Sequence, residues 1–294
     1  MVARSSASLG IPDWKTDMKH QDLSSRVPAF LLVLLVLGVS TSGACAPQDP
    51  RLQSVEDLVE VGFSRSRVVM VNEAHSGLRR CVRTRLVGVR ILPRAHAAGV
   101  RHLAMEALVA RFADKANRTR VVPTRSSGYL AQEDMRRLIR AALDLGWTLV
   151  PYEADISKMA AAFEDTMSRA ATNWREQEQA KNLAAVMDGL GSAGRLLVWC
   201  GNGHLEKKPM GNWKPMGAHF WELSGIEPFS IDQTLTVVFK KGGLSRGQPL
   251  LERFQKQLEA TPGETMGFLR EDWKDGRDHK GYDAFIISLH NTLE

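Results

Sequence analysis

Apolar residues in this chain fall into short unbroken runs, separated by longer stretches with helical spacing. The segment SVEDLVEVGF (54–63) reads as a short amphipathic helix, and RVVMV (67–71) as a strand. Residues 78–99 are largely helical, with an interruption expected at Pro93 because proline has no amide hydrogen to bond the turn behind it. A strand at 100–105 follows, then a helix at 132–146 with apolar residues at 135, 138, 139, 142 and 143. Next come a strand at 147–152, a helix at 173–190 and a strand at 195–199. The strand runs are apolar at every position rather than at every second one, which implies burial on both faces. Alternation with helices then predicts an α/β fold, a mainly parallel sheet flanked by helices, in a single domain spanning 55–294. In the tail, 231–239 and 282–290 read as further strands, the latter closing an edge. Residues 250–258 read as a helix and 271–281 as a charged loop.

Composition changes this picture little. Of 294 residues, 44% are hydrophobic and 24% charged, as in ordinary globular domains. The formal charge of +6 is scattered among acidic residues, with no basic run interleaved with aromatics, so nucleic-acid binding is not indicated. The N-terminus adds more. VPAFLLVLLVLGV (27–39) is too short to span a bilayer comfortably and matches the apolar region of a signal peptide. Met18 would give a shorter, more basic leader than Met1. Ser42-Gly43-Ala44 before Cys45 resembles a bacterial lipobox. Residues 1–45 are therefore expected to be a lipoprotein-type signal peptide with Cys45 lipidated, and 46–54 a polar linker. The protein is then exported, and touches a membrane only through the lipid anchor. The remaining cysteines, Cys81 and Cys200, are either a disulfide or two separate buried thiols.

Four strands end in chemistry. The first is followed by Asn72-Glu73-Ala74-His75, the second by Glu106, the third by Tyr152-Glu153, and the fourth by Cys200-Gly201-Asn202-Gly203-His204. In a parallel sheet all these ends lie along one edge, the edge that carries the binding crevice. Glu73 and His75 stand two apart, so extended backbone points them to one side. A carboxylate beside an imidazole fixes its tautomer and makes a general base, and Glu106 could share that task or hold a water. Taken singly, each residue is explained as well by a helix cap or a solvated loop. The set points to a site. Trp213, Trp221 and Trp273 are candidates for a pocket lining, with core packing as the simpler reading.

At these residues a resemblance emerges. NEAH after the first strand, Glu106 after the second, NWREQEQAKNL (173–183) and CGNGHLEKKPMGNWKPMGAHFWELSG (200–225) together resemble the superfamily of erythromycin esterase, ChaN, TraB/PrgY and Tiki. The resemblance covers about residues 67–240. Two departures stand out: Asn72 replaces the usual glycine, and a single residue separates Glu73 from His75, as in ChaN-like sequences. Arg175, Gln179 and Asn182 share one helical face, which alone reads as solvated surface.

The resemblance implies a hydrolase acting on an ester, lactone or amide in a small-molecule or peptide substrate. Its catalytic residues would be His75, Glu73, Glu106, Arg175 and His204, with Arg175 stabilising negative charge on a substrate oxygen. Glu153, Asn182 and Asn202 would contact substrate. Gly-x-Ser-x-Gly occurs at 243–247, but in the stretch KKGGLSRGQP, read as a turn or loop rather than a strand exit, which favours attack by activated water. Tiki-like members imply a metal-dependent version, with a divalent transition metal on His75, Glu106 and His204. ChaN-like lipoproteins imply a third reading, haem or metal capture without catalysis. Tyr129 and Tyr152 are then core or rim aromatics rather than identifiable haem ligands, and His279 is a solvated loop residue.

Overall fold

Ser54 opens the first helix, α1 (Val55–Arg65): its hydroxyl accepts the Asp57 amide, and Glu56 and Asp57 lie at the end of the helix that favours negative charge. The structure is a computed structural model describing residues 49–76, 79–123, 128–273 and 281–294. The first apolar run becomes β1 (Val68–Glu73), buried throughout and extending past the run into Asn72 and Glu73. A small ribbon follows, β2 (His75–Ser76) paired antiparallel with β3 (Arg79–Arg80), and leads into α2 (Val82–Ala97). Contrary to expectation, Pro93 does not interrupt α2. Ile91, Leu92 and Ala95 around it are buried in the core, and that packing holds the helix across the missing hydrogen bond.

After α2 come β4 (His102–Met105), α3 (Ala110–Thr119), α4 (Glu133–Asp144) and β5 (Thr148–Pro151). Then follow α5 (Ile156–Ala162), α6 (Arg169–Leu190), β6 (Leu196–Gly201), α7 (Met216–Ser224) and β7 (Phe229–Asp232). The chain ends with α8 (Gln248–Glu259), β8 (Thr265–Leu269) and β9 (Ala284–Ser288). Seven strands form one sheet in the order β5-β4-β6-β1-β7-β9-β8, parallel except where β8 runs antiparallel to β9. This is the α/β class expected. Val69, Val71, Leu103, Met105, Leu197 and Trp199 pack against one helical layer with α1, α2 and α4. The alternate residues Val68, Met70, Ala104, Leu196 and Val198 pack on the other face with α6 and α7. Both faces are dry, as continuous apolar runs require.

The tail departs from expectation. The predicted strand 231–239 leaves the sheet at Asp232, whose Oδ1 accepts from both Thr234 N (2.8 Å) and Thr234 Oγ1 (2.7 Å) and bends the chain. The alternation beyond it reflects burial of Leu235 and Val237 in a turn, not a strand. The predicted strand 282–290 is the shorter β9. It lies inside the sheet, and the unanticipated β8 forms the edge. Gln53 exchanges backbone hydrogen bonds with Gly267 (both 2.9 Å), so the described end of the expected linker is fastened to β8. Residues 1–48, with the expected signal peptide and Cys45, lie outside the described residues, as do His279 and the side chain of Tyr129. Among the described residues no helix is long and apolar enough to cross a membrane. Cys81 and Cys200 are free and buried, and Cys81 Sγ donates to Asn291 Oδ1 (2.7 Å).

Candidate active site

The four strands with polar exits, β5, β4, β6 and β1, are consecutive neighbours in the sheet. Glu73, the last residue of β1, lies in register with Gly201, the last of β6. The Glu106 amide continues the ladder by donating to Trp199 O (3.0 Å). The sheet therefore delivers Glu73, Glu106, Glu153 and the Gly201 turn to one edge.

Glu73 and His75 do point to the same side: Glu73 Oε1 lies 3.2 Å from His75 Nδ1. Glu73 is almost fully buried, and its other oxygen accepts from Nε of Arg85, a buried residue of α2. Arg85 also donates to Gln132 Oε1 and, at 3.0 Å, to Asp134 Oδ2 at the start of α4. Burial opposes the charge of Arg85, but Glu73 and Asp134 outweigh it and raise its pKa. The carboxylate beside His75 is thus held in place by a chain of ion pairs reaching two helices away.

Glu106 faces this dyad. Its Oε2 accepts the Gly201 amide (2.6 Å) and its Oε1 accepts Arg175 Nη2 (2.7 Å), with His204 Nε2 at 3.5 Å. Burial would raise the Glu106 pKa, but His204, Arg175 and His75 overcome it and hold the group at about 2. Arg175 makes a bidentate pair with Glu153 (Nε–Oε1 2.9 Å, Nη2–Oε2 2.6 Å). Glu153 Oε1 also accepts from Gln179 Nε2 (2.9 Å) and from the Ala154 amide (2.9 Å). His204 Nδ1 approaches Glu176 Oε1 at 2.7 Å, an ionic contact outside hydrogen-bond angles. Burial disfavours charge on His204, but Glu106 and Glu176 prevail and bring its pKa up to about 9. His204 is therefore an imidazolium at neutral pH.

Gly201 explains how these groups come so close. A Cβ there would collide with the His75 ring, lying 2.9 Å from Nε2, and would lie 3.1 Å from Glu106 Oε2. The glycine is needed for this approach, not for a left-handed turn: its φ is −82°. Of the other expected residues, Asn182 Nδ2 donates to the carbonyls of Tyr152 and Glu153 (both 3.1 Å), tying α6 to the end of β5. Asn202 Nδ2 donates to the His75 carbonyl (3.2 Å). Tyr152 is buried, with its hydroxyl on Trp199 O (3.3 Å). Trp213 donates to Glu176 Oε1 (3.2 Å), whereas Trp273 packs on Phe268 and Phe285 and Trp221 lies apart beside Lys207. Arg85 carried no signal in its Arg-rich helix. Gly201 did stand in a glycine-rich stretch, but nothing local showed that the His75 ring would lie against it.

The donor set does not fit a divalent metal. Among the described residues, no three His, Cys, Asp or Glu side chains form a group that could hold one. Both Glu106 oxygens already accept hydrogen bonds, and the Arg175 guanidinium on one of them would repel an incoming metal.

No protein-family model matches the chain, and no curated protein matches it. Several solved structures do. A Bacillus cereus protein is 13% identical, over 84% of this chain and 95% of that one, with a TM-score of 0.49. ChaN of Campylobacter jejuni, solved with cofacial haem, is 11% identical over 79% of this chain and 91% of that one, with a TM-score of 0.48. RRSP, a MARTX toxin effector domain from Vibrio vulnificus, is 16% identical over 62% of this chain, with a TM-score of 0.45; the chain spans only 36% of that structure's length. At these values the functional argument rests on the side chains.

Proposed function

We propose that this protein is a hydrolase that activates water against an ester, lactone or amide. One observation carries the reading: His75, braced by Glu73, lies against Gly201 beside a carboxylate flanked by two cations. Glu73 lies on His75 Nδ1, and in the proposed reaction His75 takes the proton from water. Glu106 stays ionised and anchors Arg175 and His204. In this reading the two cations stabilise the oxyanion that a carbonyl oxygen becomes after attack. Glu153, Gln179 and Asn182 position Arg175 and the end of β5, and Asn202 holds the His75 backbone. No step requires a metal. The resemblance to the erythromycin esterase superfamily supports the same reading. In it, the leader at 1–45 and Cys45 make the protein an exported, lipid-anchored enzyme acting on a small-molecule or peptide substrate.

The test is a panel of esters, lactones and peptides offered to the purified protein with and without a chelator. His75→Ala should slow any turnover by about 10²–10⁴-fold, the usual contribution of a positioned general base. Chelation should leave the rate unchanged. A His75→Ala rate equal to wild type removes His75 from the mechanism. Failure across the whole panel, together with a Soret band on haem titration, replaces hydrolysis with haem capture.

A further inference from the structure

The loop between β7 and α8 stands apart in composition. From Gln233 to Leu251 the chain has no acidic residue, while Lys240, Lys241 and Arg246 fall inside that stretch. The loop is clamped at both ends. The Val238 amide donates to Asn291 O (2.7 Å) and the Gly247 amide to Leu235 O (2.8 Å). Between these ties the Gly243 amide closes a turn on Lys240 O (2.9 Å). Gly242, third in that turn, has a φ of 72°, which a residue with a side chain adopts only under strain. The loop thus holds its residues outward in a fixed shape, with Phe239 before the turn 40% exposed and Leu244 after it 78% exposed.

The surface beside the loop is cationic as well. Lys240, Lys241 and Arg79 of β3 are exposed and line one cavity of about 390 Å³, together with Phe239 and Leu293. None of these three cations is ion-paired among the described residues. The acidic residue in the same lining, Glu294, stands 3.4 Å from Arg80 Nη2 and is matched there. Arg246 faces Asp232 at 4.0 Å and adds no free charge to the count. A soluble anion would neutralise the lysines and leave Phe239 and Leu244 in water, where open apolar surface is unfavourable. An acidic protein surface offers the charge without an apolar layer behind it. An anionic bilayer offers both: apolar side chains enter the acyl boundary while lysines, on flexible apolar stems, keep their ammonium groups among the phosphates.

We propose that this loop docks the folded domain on an anionic lipid surface, with Leu244 and Phe239 entering the acyl boundary and Lys240, Lys241 and Arg79 meeting lipid phosphates. The contact is separate from the lipid anchor expected at Cys45, and it does not depend on the hydrolase reading. Arg79 pairs with Ser76, the neighbour of His75, so docking brings that edge of the sheet close to the bilayer. The test uses the full-length protein as Leu244→Cys in a Cys45→Ser background, labelled with the environment-sensitive dye nitrobenzoxadiazole; Cys81 and Cys200 are buried. Vesicles of equal parts phosphatidylglycerol and phosphatidylcholine should shift the emission to the blue and raise it, and vesicles of phosphatidylcholine alone should not. Because the dye reports its own surroundings, attachment through the leader alone leaves it unshifted. The same dye at Ser192→Cys, an exposed position before β6, should stay unshifted on both. Replacing both lysines, Lys240→Gln with Lys241→Gln, should raise the lipid concentration for half the shift at least tenfold, at about fivefold for each charge removed. Circular dichroism checks that each variant is folded. No shift at 244, an equal shift on neutral vesicles, an equal shift at 192, or no loss in the double lysine variant overturns the assignment. A shift with soluble polyglutamate that the anionic vesicles do not reproduce replaces the lipid surface with an acidic protein.

Discussion

Gly201 sets how closely the His75 ring can approach Glu106. Gly201→Ala places a methyl where the imidazole lies, and the ring must swing away from the carboxylate. Displacements of about 1 Å at reacting groups cost on the order of 10² in rate, so this variant should lose turnover by that much while its far-UV spectrum stays native. A pH dependence also belongs at this scale. The Glu106 pKa falls from 4.5 to about 2 on folding, so its contribution to stability is complete above 4.5 and is lost as pH drops through about 2. His204 rises from 6.5 to about 9, so its contribution is complete below 6.5 and is lost as pH climbs through about 9. From these two groups, thermal unfolding midpoints should be highest between about 4.5 and 6.5. His204→Asn should flatten the alkaline limb relative to wild type. The identities of Glu73, His75, Glu106 and His204 were legible from their places after strands. Arg85 was not, because nothing local distinguishes a buried arginine from the exposed ones beside it in α2.

Helix α6 acts as the keystone among the elements. Arg175, Gln179 and Asn182 on one face reach the end of β5, while Glu176 turns toward the segment before α7. Glu176 Oε2 accepts the Met216 amide (2.7 Å), the first of α7, where a carboxylate also complements the helix dipole. Oε1 accepts Trp213 Nε1 and faces His204. Glu176→Ala would leave the buried Met216 amide without its acceptor and remove one of the two carboxylates on His204, at a cost of about 2–3 kcal/mol. Denaturant unfolding should register that loss, and amide exchange should quicken over residues 213–224. Helical spacing on its own placed Arg175, Gln179 and Asn182 together. Which way that face turned was decided by packing of Ala180, Leu183 and Met187 against the sheet.

For the molecule as a whole, β1 is the divide. After it the chain builds β4, β5 and β6 on one side, then β7, β9 and β8 on the other, and ligand crevices form at such reversals. Asn72 clasps the two sides. Its Nδ2 donates to Asn202 O and Asp232 Oδ1 (both 2.7 Å), and its Oδ1 accepts the Gln233 amide (2.7 Å). Asparagine at this strand exit thereby has a physical reason. Asn72→Ala would strand these buried groups, and a loss of about 2–3 kcal/mol is expected in calorimetric unfolding. Turnover should fall with it, since the Asn202 turn carries His204.

The sequence by itself determined the element types, the parallel sheet and the polar residues at the strand exits, because periodicity and residue identity are properties of a one-dimensional string. It misread the stretch after Asp232, where alternation came from a buried turn, and it could not foresee β8 as the edge. Only the tertiary structure decided the strand order and the ties from Arg85 to Glu73, Glu176 to His204 and Arg175 to Glu106. It also decided that Cys81 and Cys200 stay apart. Whether a polar group at a strand end acts as a base, a clamp or a tie depends on distances of a few ångströms between residues up to 161 positions apart, and close packing of helices on the sheet sets those distances.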